Sequence, residues 1–241
     1  MAKIPESPEQ IFDSFTQDLQ AAFGAELLSV ILYGSGARGE YVPRKSDINF
    51  LVVLSQKGIE QLERALDLVA KWRKANVAVP LFLTREYIES ALDAFPIEFL
   101  NMKNAHKLVH GEDVLQDLEI DRGNLRLQIE RELRGKLIHL RAGFLSTGKD
   151  RQALREMLAA SVPTFTSIFE ALIFLQEGNA VGRRVEIFNR AAALFGLDGS
   201  VFTHLINVRQ SAWRGSTNQL QDLAKSYIHE IKKLVEFVDR L

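Results

Sequence analysis

The sequence contains no cysteine among its 241 residues, which excludes disulfide bonds and metal sites built on thiolates. No apolar run approaches the roughly 20 residues that a membrane-spanning helix needs, and the start, MAKIPESPEQ, lacks the apolar core of a signal peptide. A large excess of charge is also missing, since 30 Lys and Arg balance 31 Asp and Glu. These absences predict a cytoplasmic protein that neither enters a membrane nor coats nucleic acid.

Two buried strands are predicted around a glycine-rich turn and a charged loop, in the stretch VILYGSGARGEYVPRKSDINFLVVL (residues 30–54). The apolar, β-branched run over residues 27–33 predicts the first strand, and residues 48–54 predict the second. Side chains alternate between the two faces of a strand. Asp47 and Asn49 are therefore expected on one face, and the apolar residues between and after them on the other.

The turn after the first strand predicts a site for an anion. Gly34 and Ser35 combine backbone freedom with a hydroxyl that can cap a helix, so a short helix is expected to begin there with unpaired N–H groups. Arg38, Arg44 and Lys45 add positive charge in the same loop. The alternatives are a simple strand-to-helix turn and a solvent-exposed loop face.

This order of features resembles the signature of a known superfamily. A strand, Gly34-Ser35, an eleven-residue spacer and then the segment Asp47-Ile48-Asn49-Phe50 are similar to the motif of the DNA polymerase β-like nucleotidyltransferases. The longer segment GSGARGEYVPRKSDIN resembles the bacterial small nucleotidyltransferases and those that modify aminoglycosides. The resemblance implies nucleotide binding by Gly34 and Ser35 together with the three basic residues of the loop.

The resemblance also implies a catalytic pair, Asp47 and Asn49, in which Asp47 binds magnesium. Active members of the superfamily hold two magnesium ions with three carboxylates. Here Asn49 stands at the second position, and its neutral carbonyl oxygen cannot bridge two cations. The third carboxylate should come from residues 76–84, NVAVPLFLT, which contain none. One of the three expected ligands is therefore present.

The chain as a whole is predicted to have an α+β fold in two domains. Residues 1–120 should form a nucleotidyltransferase-like mixed sheet flanked by helices. Residues 121–241 carry only apolar stripes at helical spacing, which predict an all-α helical bundle. In the first domain, a helical crossover should lead to a third strand over residues 77–83, and Pro80 should place that strand at an edge or in a bulge.

Two further features of the first domain leave alternatives open. Residues 97–108, IEFLNMKNAHKL, are compatible with a strand and a turn or with a helix. Within them, Glu98 could replace a missing carboxylate, although an ordinary salt bridge or an exposed strand position is favoured. His106 and His110 have a spacing that can chelate a metal on a helix, but no third ligand accompanies them.

The second domain offers two pairs of candidate residues. Arg134 and His139 have the spacing of HEPN-type ribonucleases, but residues five apart do not share a helix face, so a basic helix is favoured. Glu170 and Glu177 could serve as the base that deprotonates a substrate, as a second-domain glutamate does in some aminoglycoside enzymes. Their sequence context does not distinguish them from other acidic residues.

We therefore expect a protein with a nucleotidyltransferase fold, lost or much reduced catalysis, and a binding or regulatory role that retains nucleotide binding. The alternative is an active Mg-dependent enzyme that transfers a nucleoside monophosphate from a nucleoside triphosphate to a hydroxyl of a small molecule or protein. Charge favours the first, because the missing carboxylates lower the ligand charge by about two units. The expected ligand is a nucleotide or other small molecule; a protein partner and a homodimer stay open.

Overall fold

The computed structural model describes residues 4–179 and 182–241, and the chain divides into two compact units. The first unit contains the sheet, and the second is built from helices. The predicted α+β fold, a mixed sheet flanked by helices and followed by helices, is confirmed. The first unit comprises Met1–Asp93 and Phe99–Ile120, and the second comprises Ala94–Glu98 and Asp121–Leu241.

In the first unit, helices pack against both faces of a four-stranded sheet. Its first helix presents Phe15, Leu19 and Phe23 to the sheet, because these apolar residues are spaced three to four apart. The crossover after the second strand consists of two short helices separated by a 3-10 turn. The elements up to β4, with the start of α5 counted in the second unit, are α1 (Phe12–Phe23), β1 (Leu27–Tyr33), β2 (Asn49–Leu54), α2 (Gln56–Ile59), α3 (Leu66–Arg73), β3 (Leu81–Leu83), α4 (Arg85–Ser90), α5 (Pro96–Asn104) and β4 (His106–Gly111).

The strand order in the sheet is β3-β2-β1-β4. Strand β1 is antiparallel to both β2 and β4, and β3 is parallel to β2. The edge position predicted for the third strand is confirmed, but that strand is shorter than predicted. Val77 makes an isolated bridge with Ile48, and the ladder resumes at Leu81, because Pro80 between them has no N–H to donate.

Residues 97–108, for which helix and strand were both open, form most of helix α5 and the first part of strand β4. The strand closes against β1 through a bulge near its end. Gly111 has φ +79°, and a Cβ built on it would lie 1.8 Å from the Leu28 carbonyl oxygen. The sheet therefore requires glycine at this position.

The second unit is a bundle of long helices around an aromatic core. Phe169 is fully buried, and its ring lies 5.1 Å from that of Phe188 and 5.2 Å from that of Phe202. Asp150 and Ser216 cap two of the helices by accepting hydrogen bonds from backbone N–H groups. The helices are α6 (Arg122–Thr147), α7 (Arg151–Glu177), α8 (Arg184–Phe195), α9 (Gly199–Arg209) and α10 (Thr217–Val238).

Helix α7 bears on the expectation that no apolar run is long enough to span a membrane. Within the described residues it is the one helix that is long and apolar enough, by length and composition, to cross a membrane. However, 56% of its apolar window is buried inside the protein, and the core helix of a bundle passes the same test. The long apolar run therefore supplies the core of the second unit, including Phe165 and Phe169.

Candidate functional site

The chain leaves β1 through consecutive turns over residues 34–39, so the helix predicted at Gly34-Ser35 is absent. The Arg38 N–H donates to the Gly34 carbonyl oxygen at 3.0 Å, as in a helix, but the Glu40 N–H then donates to Ser35 across five residues, at 2.9 Å. Gly34 and Gly39 have φ values of +75° and +70°, which are incompatible with a right-handed helix. A turn therefore replaces the predicted helix N-terminus.

Gly34 lies beside Asn49 at the end of the central strand pair. The register pairs Tyr33 with Asn49, and a Cβ on Gly34 would lie 3.6 Å from Asn49 Nδ2, an ordinary contact distance. The Gly34 N–H donates to the Ala105 carbonyl oxygen at 3.3 Å, which joins the turn to the residue before β4. Positive φ, rather than crowding, therefore favours glycine at position 34.

The residues around Asp47 alternate as the sequence predicts. Ile48 and Phe50 are fully buried in the apolar cluster formed with α1, whereas Asn49 is half-buried on the opposite face with Leu51. Asp47, directly before this strand, is exposed. The site thus places one exposed carboxylate and one half-buried amide two residues apart at the strand end.

The basic loop before Asp47 is closed by hydrogen bonds between Val42 and Ser46. The Ser46 N–H donates to the Val42 carbonyl oxygen at 2.9 Å, and the Val42 N–H donates to Ser46 Oγ at 3.1 Å. Arg44 adopts φ +67°, and both Arg44 and Lys45 are exposed, whereas Arg38 in the preceding turn is half-buried. The structure therefore presents two cationic side chains to solvent close in sequence to Asp47.

The Asp47 carboxylate contributes to the electrostatics of the loop. Burial raises the pKa of the Tyr41 hydroxyl, and the charges of Glu6 and Asp47 raise it further. Tyr41 stays protonated at neutral pH and donates its hydroxyl hydrogen to the Pro5 carbonyl oxygen at 3.1 Å. The negative charge of Asp47 thus acts on the Tyr41 hydroxyl, which stays uncharged and does not neutralise it.

The donor set at this strand end does not fit a two-metal centre. Among the described residues, no group of three or more His, Asp or Glu side chains lies close enough together to hold a metal ion. The neighbouring strand β3, which pairs with β2, contributes only Leu81, Phe82 and Leu83. Asp47 is the one carboxylate of the predicted ligand positions, and magnesium bound by a single protein carboxylate takes its other ligands from water or phosphate.

Glu98, the candidate replacement for the missing carboxylate, lies in the first turn of helix α5 and belongs to the second unit. The interpretation as a strand residue is therefore wrong. Its carboxylate accepts a hydrogen bond from Gln128 Nε2 at 2.7 Å, and Gln128 Oε1 accepts one from the Ile97 N–H, also at 2.7 Å. Gln128 is buried, and this bonding fixes the start of α5.

His106 and His110 lie on strand β4 rather than on a helix, and neither belongs to a metal-binding group among the described residues. The His106 ring nitrogens lie 2.9 Å from the Lys103 carbonyl oxygen and 2.8 Å from the Asp113 carboxylate. Burial pushes the pKa of Asp113 up, but the hydrogen bond with His106 and the N–H groups of Leu115 and Gln116 outweigh this and lower it. The pair serves the fold at the edge of the sheet.

The two candidate residues on α6 have different surroundings. Arg134 forms salt bridges with both Glu130 and Asp239, and these contacts raise the pKa of its guanidinium. His139 instead lines a small cavity of about 200 Å³. The other residues of this cavity are Lys136, Leu140, Met157, Ser161, Thr164 and Phe165.

The two candidate acids on α7 have different environments. Glu170 is fully buried in the bundle, whereas Glu177 forms a salt bridge with Arg190 on α8. The salt bridge lies in the wall of a second cavity, of about 490 Å³. Glu177 is therefore engaged in an ion pair, whereas Glu170 is enclosed in the core of the second unit.

Sequence analysis missed Asn76, which contacts the Asp47 segment. Its Nδ2 donates to the Ser46 carbonyl oxygen at 2.7 Å, and its own φ is +65°. The signal available in the sequence was an asparagine just after the end of α3, because asparagine is the side chain that best tolerates the left-handed region. Its partner, 30 residues away, could not be identified from that signal.

Two comparisons with known proteins give matches. Residues 13–105 match the family of nucleotidyltransferase domains. Among solved structures, the chain is similar to the spectinomycin adenyltransferase AAD(9) from Enterococcus faecialis in its crystal structure with ATP and spectinomycin. The TM-score is 0.54 at 14% identity, and the match covers 91% of this chain and 99% of that chain, so it shows a shared fold. Comparison of the sequence with curated proteins gives no match.

Proposed function

We propose that this protein binds a nucleoside triphosphate at the end of β1 and β2 and has lost most or all transfer activity. The match of residues 13–105 to the family of nucleotidyltransferase domains supports this proposal. The observation that carries the proposal is the set of possible metal ligands. Asp47 supplies a carboxylate, Asn49 supplies only an amide, and β3 supplies no carboxylate. Fold similarity by itself does not supply activity. We assign nucleotide binding to a domain over residues 1–120 and a binding or regulatory role to the cytoplasmic protein as a whole.

Each residue of the site has a defined task in this proposal. The turn at Gly34 and Ser35 lets the backbone approach the triphosphate, and Arg38, Arg44 and Lys45 attract its negative charge. Charge-assisted contacts to phosphate are stronger than neutral ones, so the loop can bind a nucleotide without a full metal centre. Support comes from the similar fold of the adenyltransferase, which was crystallised with ATP.

Asp47 and Asn49 limit the chemistry of the bound nucleotide. A magnesium ion bound to the phosphates would take Asp47 as its protein ligand, and when bound it would neutralise phosphate charge. A second ion would need bridging carboxylates, and Asn49 offers a neutral oxygen instead. With this donor set, the attacking and leaving oxygens of a transfer reaction would not both be stabilised.

The proposal is tested by calorimetric titration of ATP, with and without magnesium, into the wild type, Asp47→Asn and Asn49→Asp. We expect magnesium to strengthen wild-type binding and Asp47→Asn to remove that increment. Asn49→Asp should raise magnesium-dependent affinity by about tenfold, because a carboxylate adds a full charge where an amide has a dipole. Asp67→Asn, at an exposed acidic residue of α3, is the matched control and should not change binding.

Two results would contradict the proposal. Absence of ATP binding under both conditions would show that the turn and basic loop do not form a nucleotide site. Robust release of pyrophosphate by the wild type with a hydroxyl acceptor, abolished in Asp47→Asn, would establish the alternative, an active Mg-dependent nucleotidyltransferase. In that case the helical residues 121–241 would be the place to search for the acceptor site.

A further inference from the structure

Asn76 holds both peptide groups that flank Asp47. On the N-terminal side, its Nδ2 donates to the Ser46 carbonyl oxygen at 2.7 Å. On the C-terminal side, its carbonyl oxygen accepts from the Ile48 N–H at 3.0 Å. One residue outside the motif therefore bonds the peptide groups before and after the exposed carboxylate.

This double contact restrains the backbone of Asp47. Rotation about φ of Asp47 would move the Ser46 carbonyl, and rotation about ψ would move the Ile48 N–H, so either rotation breaks a bond to Asn76. The Ala78 N–H, which donates to the Ile48 carbonyl oxygen at 2.9 Å, holds the strand on the far side of Ile48. The restraint on φ and ψ of Asp47 fixes the direction in which its exposed side chain leaves the backbone.

Asparagine is well suited to this position for two reasons. The φ of Asn76 is +65°, a conformation that asparagine tolerates better than most side chains, and its N–H donates to the Arg73 carbonyl oxygen at 3.2 Å where α3 ends. Its amide group also provides the N–H donor that the Ser46 carbonyl needs. Glycine would allow the backbone conformation without the donor, and an ionised aspartate would have no donor.

We propose that Asn76 is a positioning residue that holds Asp47 in the direction required to meet a nucleotide-bound magnesium ion. This inference rests on the proposed function for the ligand, but the restraint on Asp47 is a property of the protein alone. The run over residues 76–84 lacks the carboxylate of the family pattern. It still serves the site by orienting the carboxylate that remains.

The test compares Asn76→Gly with the wild type, because glycine keeps the positive φ and removes only the side-chain bond. The control is Ser211→Gly, which changes an exposed residue with φ +62° in the second unit. The first measurement is the ¹⁵N relaxation order parameter of the Asp47 amide without ligand. We expect it to fall from about 0.85 towards 0.6 in Asn76→Gly and to stay unchanged in Ser211→Gly.

The second measurement is ATP affinity with and without magnesium in Asn76→Gly, Asp47→Asn and the double variant. Asn76→Gly should reduce the magnesium-dependent increment by about tenfold and leave magnesium-free affinity unchanged. It should have no further effect in the Asp47→Asn background, since the carboxylate it positions is gone. A purely structural role would weaken binding equally in both conditions.

The outcomes separate this inference from the proposed function. An unchanged order parameter at Asp47 would overturn the positioning role, whatever the ligand data show. Equal losses of affinity with and without magnesium, or additive losses in the double variant, would also overturn it. If the wild type binds no nucleotide, the proposed function fails, and the order parameter alone then decides whether Asn76 holds Asp47.

Discussion

The two units of this protein are held in shape by different interactions. In the first unit, backbone conformation and hydrogen bonds hold the turns and the strand end in place. Gly34, Gly39 and Gly111 adopt positive φ, and a hydrogen bond from Asn76 joins the loop after α3 to the segment before β2. In the second unit, side-chain packing decides, through an aromatic core centred on Phe169. The difference indicates that substitutions at residues with restrained backbone conformations destabilise the first unit most. In the second unit, substitutions that remove buried side-chain volume are expected to be the most destabilising.

This contrast follows from what each unit has to present. A site at a strand end needs groups held at defined positions near the surface, where few apolar contacts are available, so turns and hydrogen bonds supply the rigidity. A helical bundle gains most of its stability from buried apolar area and close packing. The following changes test that division, and each has a control variant.

The largest effect is expected in the core of the second unit. Phe169→Ala removes a fully buried ring that packs against three other rings, and it should lower the free energy of unfolding by about 3–5 kcal/mol. Urea denaturation followed by circular dichroism measures this loss. Leu145→Ala is the control, because Leu145 is 78% exposed on α6, and it should change stability by less than about 0.5 kcal/mol. Similar losses at both positions would contradict the assigned core.

The next effect tests backbone restraint in the first unit. Gly111→Ala would place a Cβ 1.8 Å from the Leu28 carbonyl oxygen, so β1 and β4 must separate, and we expect a loss of about 3 kcal/mol. Gly39→Ala is the matched control, since Gly39 also has positive φ but has nothing within 4 Å of the added Cβ. It should cost only about 1 kcal/mol. Equal losses of stability for the two variants in thermal denaturation would mean that positive φ, and not the close approach to Leu28, accounts for the need for glycine at position 111.

The smallest effect concerns the charged pair at the edge of the sheet. The pKa of Asp113 is lowered in the folded protein, so its ionised form stabilises the fold above the unfolded value of 3.8, and this contribution is lost as pH falls through the folded pKa. Asp113→Asn should therefore cost about 1 kcal/mol at pH 7, and the difference from the wild type should shrink at pH values below 3.8.

Denaturation by urea across pH 2 to 7 measures this dependence. The control is Asp222→Asn, at a carboxylate 72% exposed in a pair with Lys225 on the same helix, which should change stability little at any pH. A difference between Asp113→Asn and the wild type that grows on acidification would contradict the sign of the linkage. It would also indicate that the contact with His106 stabilises the protonated form.

The sequence by itself determined the features that depend on local pattern. Alternation put Ile48 and Phe50 in the core and Asn49 on the other face, and helical spacing in the second half indicated helices throughout. Pro80, which lacks an N–H, limited the third strand to an edge or a bulge, and the strand lies at the edge. Each inference needed only residues within a few positions of one another, where period and backbone chemistry are encoded directly.

Tertiary structure decided the features that depend on distant partners. Residues 34–39 form turns rather than a helix because two glycines take positive φ beside the sheet, and the start of α5 is fixed by Gln128. The bond between Asn76 and Ser46 spans 30 residues and appears only once β2 and the end of α3 lie side by side. No local pattern encodes such a contact, because it depends on which segments the folded sheet brings within hydrogen-bonding distance.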